Sequence, residues 1–203
     1  MKITLLDNQD SFVYNLVDTL VGLGHECAVF RNTVPASTVL SSAPDALVLS
    51  PGPGHPRDAG CLMDVVSSAF GHVPILGVCL GFQALLLHEG VSVRPCGPVH
   101  GKTDGMDVSR ETSPIFEGLT DPNGRVPVAR YHSLGIPADE LPATVRCVGT
   151  CSSSLGPVAM ACSFGGGDAP AYGVQFHPES ILTPQGPVIL DRILDLLTTK
   201  ETA

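Results

Sequence analysis

The sequence is short of basic charge. Eleven Lys and Arg stand against twenty Asp and Glu, a net charge of −9. That balance argues against nucleic acid or an anionic membrane as the main partner. No apolar run approaches the roughly 20 residues that span a bilayer. The opening, Met1 to Asp7, goes straight into a strand-like pattern and lacks a signal peptide's apolar region and cleavage site. No Cys-x-x-Cys occurs among the seven cysteines; Cys147 and Cys151 are the closest pair. An odd count at scattered spacing reads as reduced thiols in a cytoplasm, not as a disulfide framework. The His and Cys positions have no paired ligand spacing, so no metal site is expected. Internal repeats, low-complexity tracts and linkers are also missing. What remains is a chain of 203 residues, 43% hydrophobic, read as a single domain over 1–203 with a full core.

The first half alternates strands and helices. Ile3 to Leu6 is an apolar strand. Asp10 or Ser11 can cap a helix carrying Val13, Leu16, Val17 and Leu20 at helical spacing, ended by Gly22 and Gly24. Glu26 to Phe30 is a second strand and Pro35 to Ser42 a short helix. Ala46 to Leu49 is a third strand, bounded by Pro44 and Pro51. This alternation predicts a parallel sheet with helices on both faces, whose ligands sit beyond the carboxyl ends of the strands.

From Val91 the pattern becomes β-rich. Short strands are expected at Val91 to Arg94, Val99 to Lys102, Met106 to Val108 and Val126 to Tyr131. Asp104-Gly105 and Pro122-Asn123-Gly124 supply turn signals. Thr144 to Thr150, Val158 to Phe164 and Ala171 to Phe176 are further strands. Gly186 to Lys200 is a closing helix with Ile189, Ile193, Leu196 and Leu197 on one face.

The chemistry centres on Pro74 to Gln83. An apolar strand ends at Gly77-Val78-Cys79-Leu80-Gly81, and Phe82 to His88 reads as a helix. Gly-x-Cys-x-Gly between strand and helix is the thiol form of a nucleophile elbow. The sharp turn presents the sulfur, and the helix start offers N–H groups and a positive dipole end. Taken alone, Cys79 reads equally well as a small buried hydrophobe. Ser50-Pro51-Gly52-Pro53-Gly54 is a rigid loop at another strand end. It can hold an N–H where an oxyanion forms, with the Leu80 N–H as second donor. His55 reads as an exposed loop residue.

A cysteine nucleophile needs a base, and the base an orienter. Of the seven histidines only His177 has an acid two residues on, in Phe176-His177-Pro178-Glu179-Ser180. In extended chain, positions i and i+2 face the same way. That assigns Cys79 as nucleophile, His177 as acid/base and Glu179 as orienter.

These three segments together resemble the class I (triad) glutamine amidotransferases. Asp7-Asn8-Gln9-Asp10-Ser11-Phe12-Val13-Tyr14-Asn15-Leu16, Phe30-Arg31-Asn32, His100-Gly101-Lys102 and Arg130-Tyr131-His132-Ser133-Leu134 resemble its chorismate-linked branch. Arg31-Asn32 with Val34-Pro35, and Val128-Ala129-Arg130, lean toward the glutaminase subunits (component II) of anthranilate synthases. Gln9 departs from the pattern, beside the partner-facing segment.

The resemblance implies an α/β, flavodoxin-like fold: a mostly parallel central sheet flanked by helices, with added antiparallel strands. It implies that Cys79 attacks L-glutamine and that Gly54 and Leu80 hold the oxyanion. Gly52, Pro53, Gly54, Gln83, Ser133 and Leu134 would bind the glutamine. Ammonia would pass to a chorismate-binding anthranilate synthase component I, in a heterodimer or heterotetramer. No cofactor is expected on this chain, and Mg²⁺ is expected on the partner. Gln9, Ser11, His100, Lys102 and His132 are the implied partner contacts, with loop ordering as the alternative for His100 and Lys102, and gating of the site or a structural role as the alternatives for His132. An aminodeoxychorismate synthase as partner, service to both synthases, a stand-alone γ-glutamyl hydrolase and a non-catalytic module are the alternatives.

Overall fold

A computed structural model describes residues 1–99, 101–109, 114–165 and 167–198. In chain order the elements are β1 (Lys2–Asp7), α1 (Val13–Gly22), β2 (Glu26–Arg31), α2 (Ala36–Leu40), β3 (Ala46–Leu49), α3 (Leu62–Ala69), β4 (Ile75–Val78) and α4 (Leu80–His88). Then follow β5 (Arg94–Pro95), β6 (Lys102–Val108), β7 (Val126–Arg130), β8 (Leu134–Gly135), β9 (Val145–Ser153), β10 (Gly156–Phe164), β11 (Ala171–Val174) and α5 (Gly186–Thr198).

Among the described residues, nine strands form one sheet in the order β2-β1-β3-β4-β11-β10-β9-β6-β7. The first five run parallel, and β10, β9, β6 and β7 are added antiparallel. This is the α/β architecture expected from the alternation of elements. Strand alternation sends Ile3, Leu5, Val48 and Leu76 to one face, where Val13, Leu16 and Leu20 of α1 and Ile189, Ile193 and Leu197 of α5 cover them. Leu6, Leu47, Leu49 and Ile75 point the other way, into Val39 of α2, Leu62, Val65 and Val66 of α3 and Phe82 and Leu85 of α4. Burying such apolar side chains contributes roughly 1.5–3 kcal/mol each relative to exposure.

Several local expectations change. The elbow helix begins at Leu80, not Phe82, so Cys79 is its N-cap residue. Helix α3 has no counterpart in the sequence reading, although Leu62, Val65, Val66 and Ala69 repeat at i, i+3, i+4 and i+7 and are all buried. Asp104-Gly105 is not a turn; it lies inside β6, paired with Val128 and Pro127 of β7. Of the expected strand Val91 to Arg94 only Arg94 pairs; with Pro95 it forms β5 against β8. Leu196 faces out and is 42% exposed, while Leu190 and Leu194 take its place in the core. Phe12, not Asp10 or Ser11, occupies the N-cap of α1; the Asp10 carboxylate accepts the Phe12 N–H at 2.7 Å.

Candidate active site

The strand order decides which residues meet. Strand β4 lies between β3 and β11. The carboxyl ends of parallel strands face one side, so Cys79 after β4, Ser50 after β3 and Gln175 to Glu179 after β11 converge.

At the elbow, Cys79 has φ 52° and ψ −100°, a conformation L-residues rarely hold. It is pinned from both sides: its N–H donates to the Val174 carbonyl at 2.8 Å, and its carbonyl accepts the Gln83 N–H at 3.0 Å. The flanking glycines are needed for room. A Cβ on Gly77 would lie 2.7 Å from the Gly81 carbonyl, and one on Gly81 would lie 2.3 Å from the Leu49 oxygen. Helix α4 therefore starts hard against the sheet, with its first N–H groups and dipole beside the sulfur.

His177 is held by its backbone. Its N–H donates to Ala129 of β7 at 3.1 Å. Thr183 donates its hydroxyl to the His177 carbonyl at 2.7 Å and accepts the Ala129 N–H at 2.9 Å. The ring Nδ1 lies 2.6 Å from Glu179 Oε1, with side-chain exposures of 4% and 0%. Tyr131 and Phe12 pack edge-on against the imidazole, at centroid distances of 5.1 and 6.1 Å. Burial alone pushes the His177 pKa down. Hydrogen bonds to Cys79 and to Glu179, and the charges of both, overcome that and raise it to about 10. With Nδ1 on Glu179, the other nitrogen is the one left for sulfur. Of the three residues expected to act together, His177 and Glu179 are hydrogen-bonded, and Cys79 stands near enough to help raise the His177 pKa.

A geometry of this kind serves more than one reaction class, and comparison with known proteins narrows it. The family model for class-I glutamine amidotransferases matches residues 4–196. The chain belongs to the class I glutamine amidotransferases. The anthranilate synthase component 2 of Corynebacterium glutamicum is 50% identical over 206 residues, covering 96% of this chain and 97% of that protein. The pyocyanine-specific anthranilate synthase component 2 of Pseudomonas aeruginosa is 43% identical, covering 96% and 93%. A solved structure described as a GMP synthase subunit from Thermoplasma acidophilum superposes with a TM-score of 0.79 at 26% identity, covering 97% of this chain and 94% of that one.

The other residues expected at the site lie on the neighbouring strand ends and loops. The loop from Ser50 to Gly54 sits beside the elbow: a Cβ on Gly52 would meet Asn8 and Leu80, each at 2.7 Å. Ser50, fully buried, accepts the Asn8 N–H at 2.8 Å and donates to the Pro51 carbonyl at 2.7 Å, while Asn8 donates its side-chain amide to the Ser50 carbonyl at 2.9 Å. Pro53 and Gly54 are exposed at the loop tip, where Gly54 has φ 77°. His55 is half-buried where an exposed residue was expected, and its Nδ1 accepts the Arg57 N–H at 3.2 Å. Gln83 is buried one turn into α4 and donates to Gln175 Oε1 at 3.0 Å and to the Leu134 carbonyl at 3.4 Å. Ser133 is exposed and Leu134 half-buried beside it.

Of the implied partner contacts, Gln9, Ser11 and Lys102 are exposed. His100 lies outside the described residues. His132 is only 4% exposed, which fits the structural alternative and not a partner contact. Its Nε2 accepts from Arg130 Nε at 3.1 Å and its Nδ1 lies 2.9 Å from the Leu134 carbonyl. Burial pushes its pKa down to about 4, so the ring is neutral and donates to Leu134. His132 orders the turn that carries Ser133 and Leu134.

The sequence assigns no role to Gln175 or Thr183, and it places Asn8 and Arg130 in motifs without giving either a role. Gln175 alone had a local signal, standing two residues before His177 in extended chain. Among the described residues, no group of three or more His, Cys, Asp or Glu is placed to hold a metal, and no helix is long and apolar enough to cross a membrane. A cleft of about 1120 Å³ lined by Met1, Asp45, His72 and Pro170 opens at the amino ends of the strands. That is the wrong end of a parallel sheet for this chemistry.

Proposed function

We infer that the chain is the glutaminase subunit of an anthranilate synthase. The observation that carries this is the buried His177–Glu179 pair beside Cys79, in a chain matching component 2 proteins across nearly its whole length. Cys79 Sγ attacks the side-chain amide carbon of glutamine. The N–H groups of Leu80 and Gly54 take the oxyanion. The His177 imidazolium, held protonated between sulfur and carboxylate, gives its proton to the departing nitrogen as the C–N bond breaks, and ammonia leaves. Water then attacks the glutamyl thioester, His177 takes its proton, and glutamate is released as the sulfur recovers its electron pair. Gly52, Pro53, Gln83, Ser133 and Leu134 line the glutamine subsite.

Ammonia passes to a chorismate-binding component I in a heteromeric complex, in a reducing cytoplasm that keeps the seven thiols free. Gln9, Ser11 and Lys102 face that partner. The Mg²⁺ that accompanies the synthase reaction is assigned to the partner, and no step above is routed through it.

Reconstitution with an anthranilate synthase component I and, separately, with its aminodeoxychorismate counterpart tests the assignment. The expected result is anthranilate made from chorismate and glutamine. Aminated product with only the second synthase, or full glutaminase turnover by the isolated chain, would overturn it.

A further inference from the structure

We propose that Gln175 is a positioning residue for the Cys79 sulfur, holding it through a side-chain N–H whose direction is imposed by Gln83 and the Leu134 carbonyl. The proposal deepens the reading of Cys79 as nucleophile and rests on it.

Gln175 is 1% exposed. Its Nε2 lies 3.6 Å from Cys79 Sγ, within reach for a sulfur acceptor. Its backbone is fixed at the end of β11, where its N–H donates to the Met160 carbonyl at 2.8 Å. The side chain is therefore delivered to the sulfur by the same strand end that delivers His177.

An amide can present either oxygen or nitrogen, and here the neighbours choose. The Leu134 carbonyl can only accept. The Gln83 atom that faces it must be the NH₂, at 3.4 Å. The same NH₂ faces Gln175 at 3.0 Å, so Gln175 must turn its oxygen to Gln83. Its own NH₂ is then left pointing at Cys79. Reversing either amide sets donor against donor or acceptor against acceptor inside the protein, where nothing else satisfies them. The sulfur thus meets a forced donor, which favours the anionic form and fixes its direction. The titratable groups facing the sulfur are His177 and, behind it, Glu179. Gln175 does not titrate.

The test is alkylation of the full chain by iodoacetamide, with the Cys79 peptide quantified by mass spectrometry across pH. Gln175→Leu keeps the volume and removes the donor. Gln175→Glu keeps the shape and sets an anion against the sulfur. Both variants are expected to alkylate about tenfold more slowly at pH 7, Gln175→Glu the slower, with the rate recovering to the wild-type plateau at high pH, as loss of one hydrogen bond to a charged group predicts. A merely structural role would lower the whole curve without displacing it along the pH axis. An undisplaced curve in Gln175→Glu, read even if Gln175→Leu fails to fold, overturns the proposal. A wild-type Cys79 no faster than the half-buried Cys27 and Cys147 would instead overturn the nucleophile reading.

Discussion

His177 Nδ1 and Glu179 Oε1 lie 2.6 Å apart with only Pro178 between them in the chain, and both side chains are closed off from solvent. The pair is local in sequence, yet its burial comes from Phe12, Tyr131 and β7, which lie far away in the chain. Glu179 Oε2 has no hydrogen-bond partner among the described residues, so the carboxylate depends on the imidazolium for compensation.

The pair makes stability depend on pH. The His177 pKa is raised from 6.5 to about 10 by Cys79 and Glu179 against burial. Its contribution is therefore fully present below pH 6.5 and is lost as pH rises through about 10. Glu179→Gln should be less stable than wild type by about 2 kcal/mol at pH 6.5, with the gap closing above pH 10. Urea titrations at both pH values measure this; a gap independent of pH would refute it.

Cys79→Ala should abolish glutamine-dependent product in the reconstituted complex. Synthesis from added ammonia by the partner should continue at the wild-type rate, because Cys79 is buried at the elbow and supplies only the sulfur. Loss of both activities would contradict the division of labour.

Two glycines should respond oppositely to alanine. Gly81→Ala drives a Cβ to 2.3 Å from the Leu49 oxygen, a backbone atom that cannot yield. It should cost about 3 kcal/mol or more and distort the elbow. Gly22 ends α1 with nothing within 4 Å of the new Cβ. Gly22→Ala should stabilise by about 0.4–1 kcal/mol. Thermal melts of the two variants decide both signs.

His132 titrates in the other direction. With its pKa lowered to about 4 by burial and the Arg130 charge, the unfolded chain binds its proton first. Stability from this residue is lost as pH falls from 6.5 toward 4. His132→Gln can still donate to Leu134 and accept from Arg130 but cannot titrate. Its denaturation free energy should fall less across that range, by about 2–3 kcal/mol. Equal slopes for wild type and variant would remove His132 as the cause.

Arg130 is 2% exposed, and its Nη1 donates to Asp104 at 2.6 Å and to the Ser152 carbonyl at 3.1 Å. Asp104→Asn should destabilise by about 2–3 kcal/mol, because the guanidinium stays buried while its counter-charge is gone. Raised salt should leave this loss nearly unchanged, in contrast to loss of the exposed pair Arg125–Asp107.

Much of this molecule is legible residue by residue. Ala46–Leu49 is a strand bounded by prolines because prolines stop pairing, and Cys79 stands between glycines because no Cβ fits there. His177 and Glu179 face one way because extended chain repeats every second residue. These are short-range steric facts, carried by neighbours in the chain. Helix α3 obeys the same rules, with Leu62, Val65, Val66 and Ala69 at helical spacing, but the Pro/Gly loop beside it hides its start. Asp104-Gly105 misled because β-pairing with Val128 and Pro127 outweighs turn propensity. What no local pattern contains is that β4 lies next to β11. Hydrogen bonding between strands is blind to distance along the chain, so that adjacency alone brings Gln175 and His177 to a cysteine nearly a hundred residues earlier. The burial of His132 is likewise decided by its surroundings, Cys96 among them, and not by the turn in which it is written.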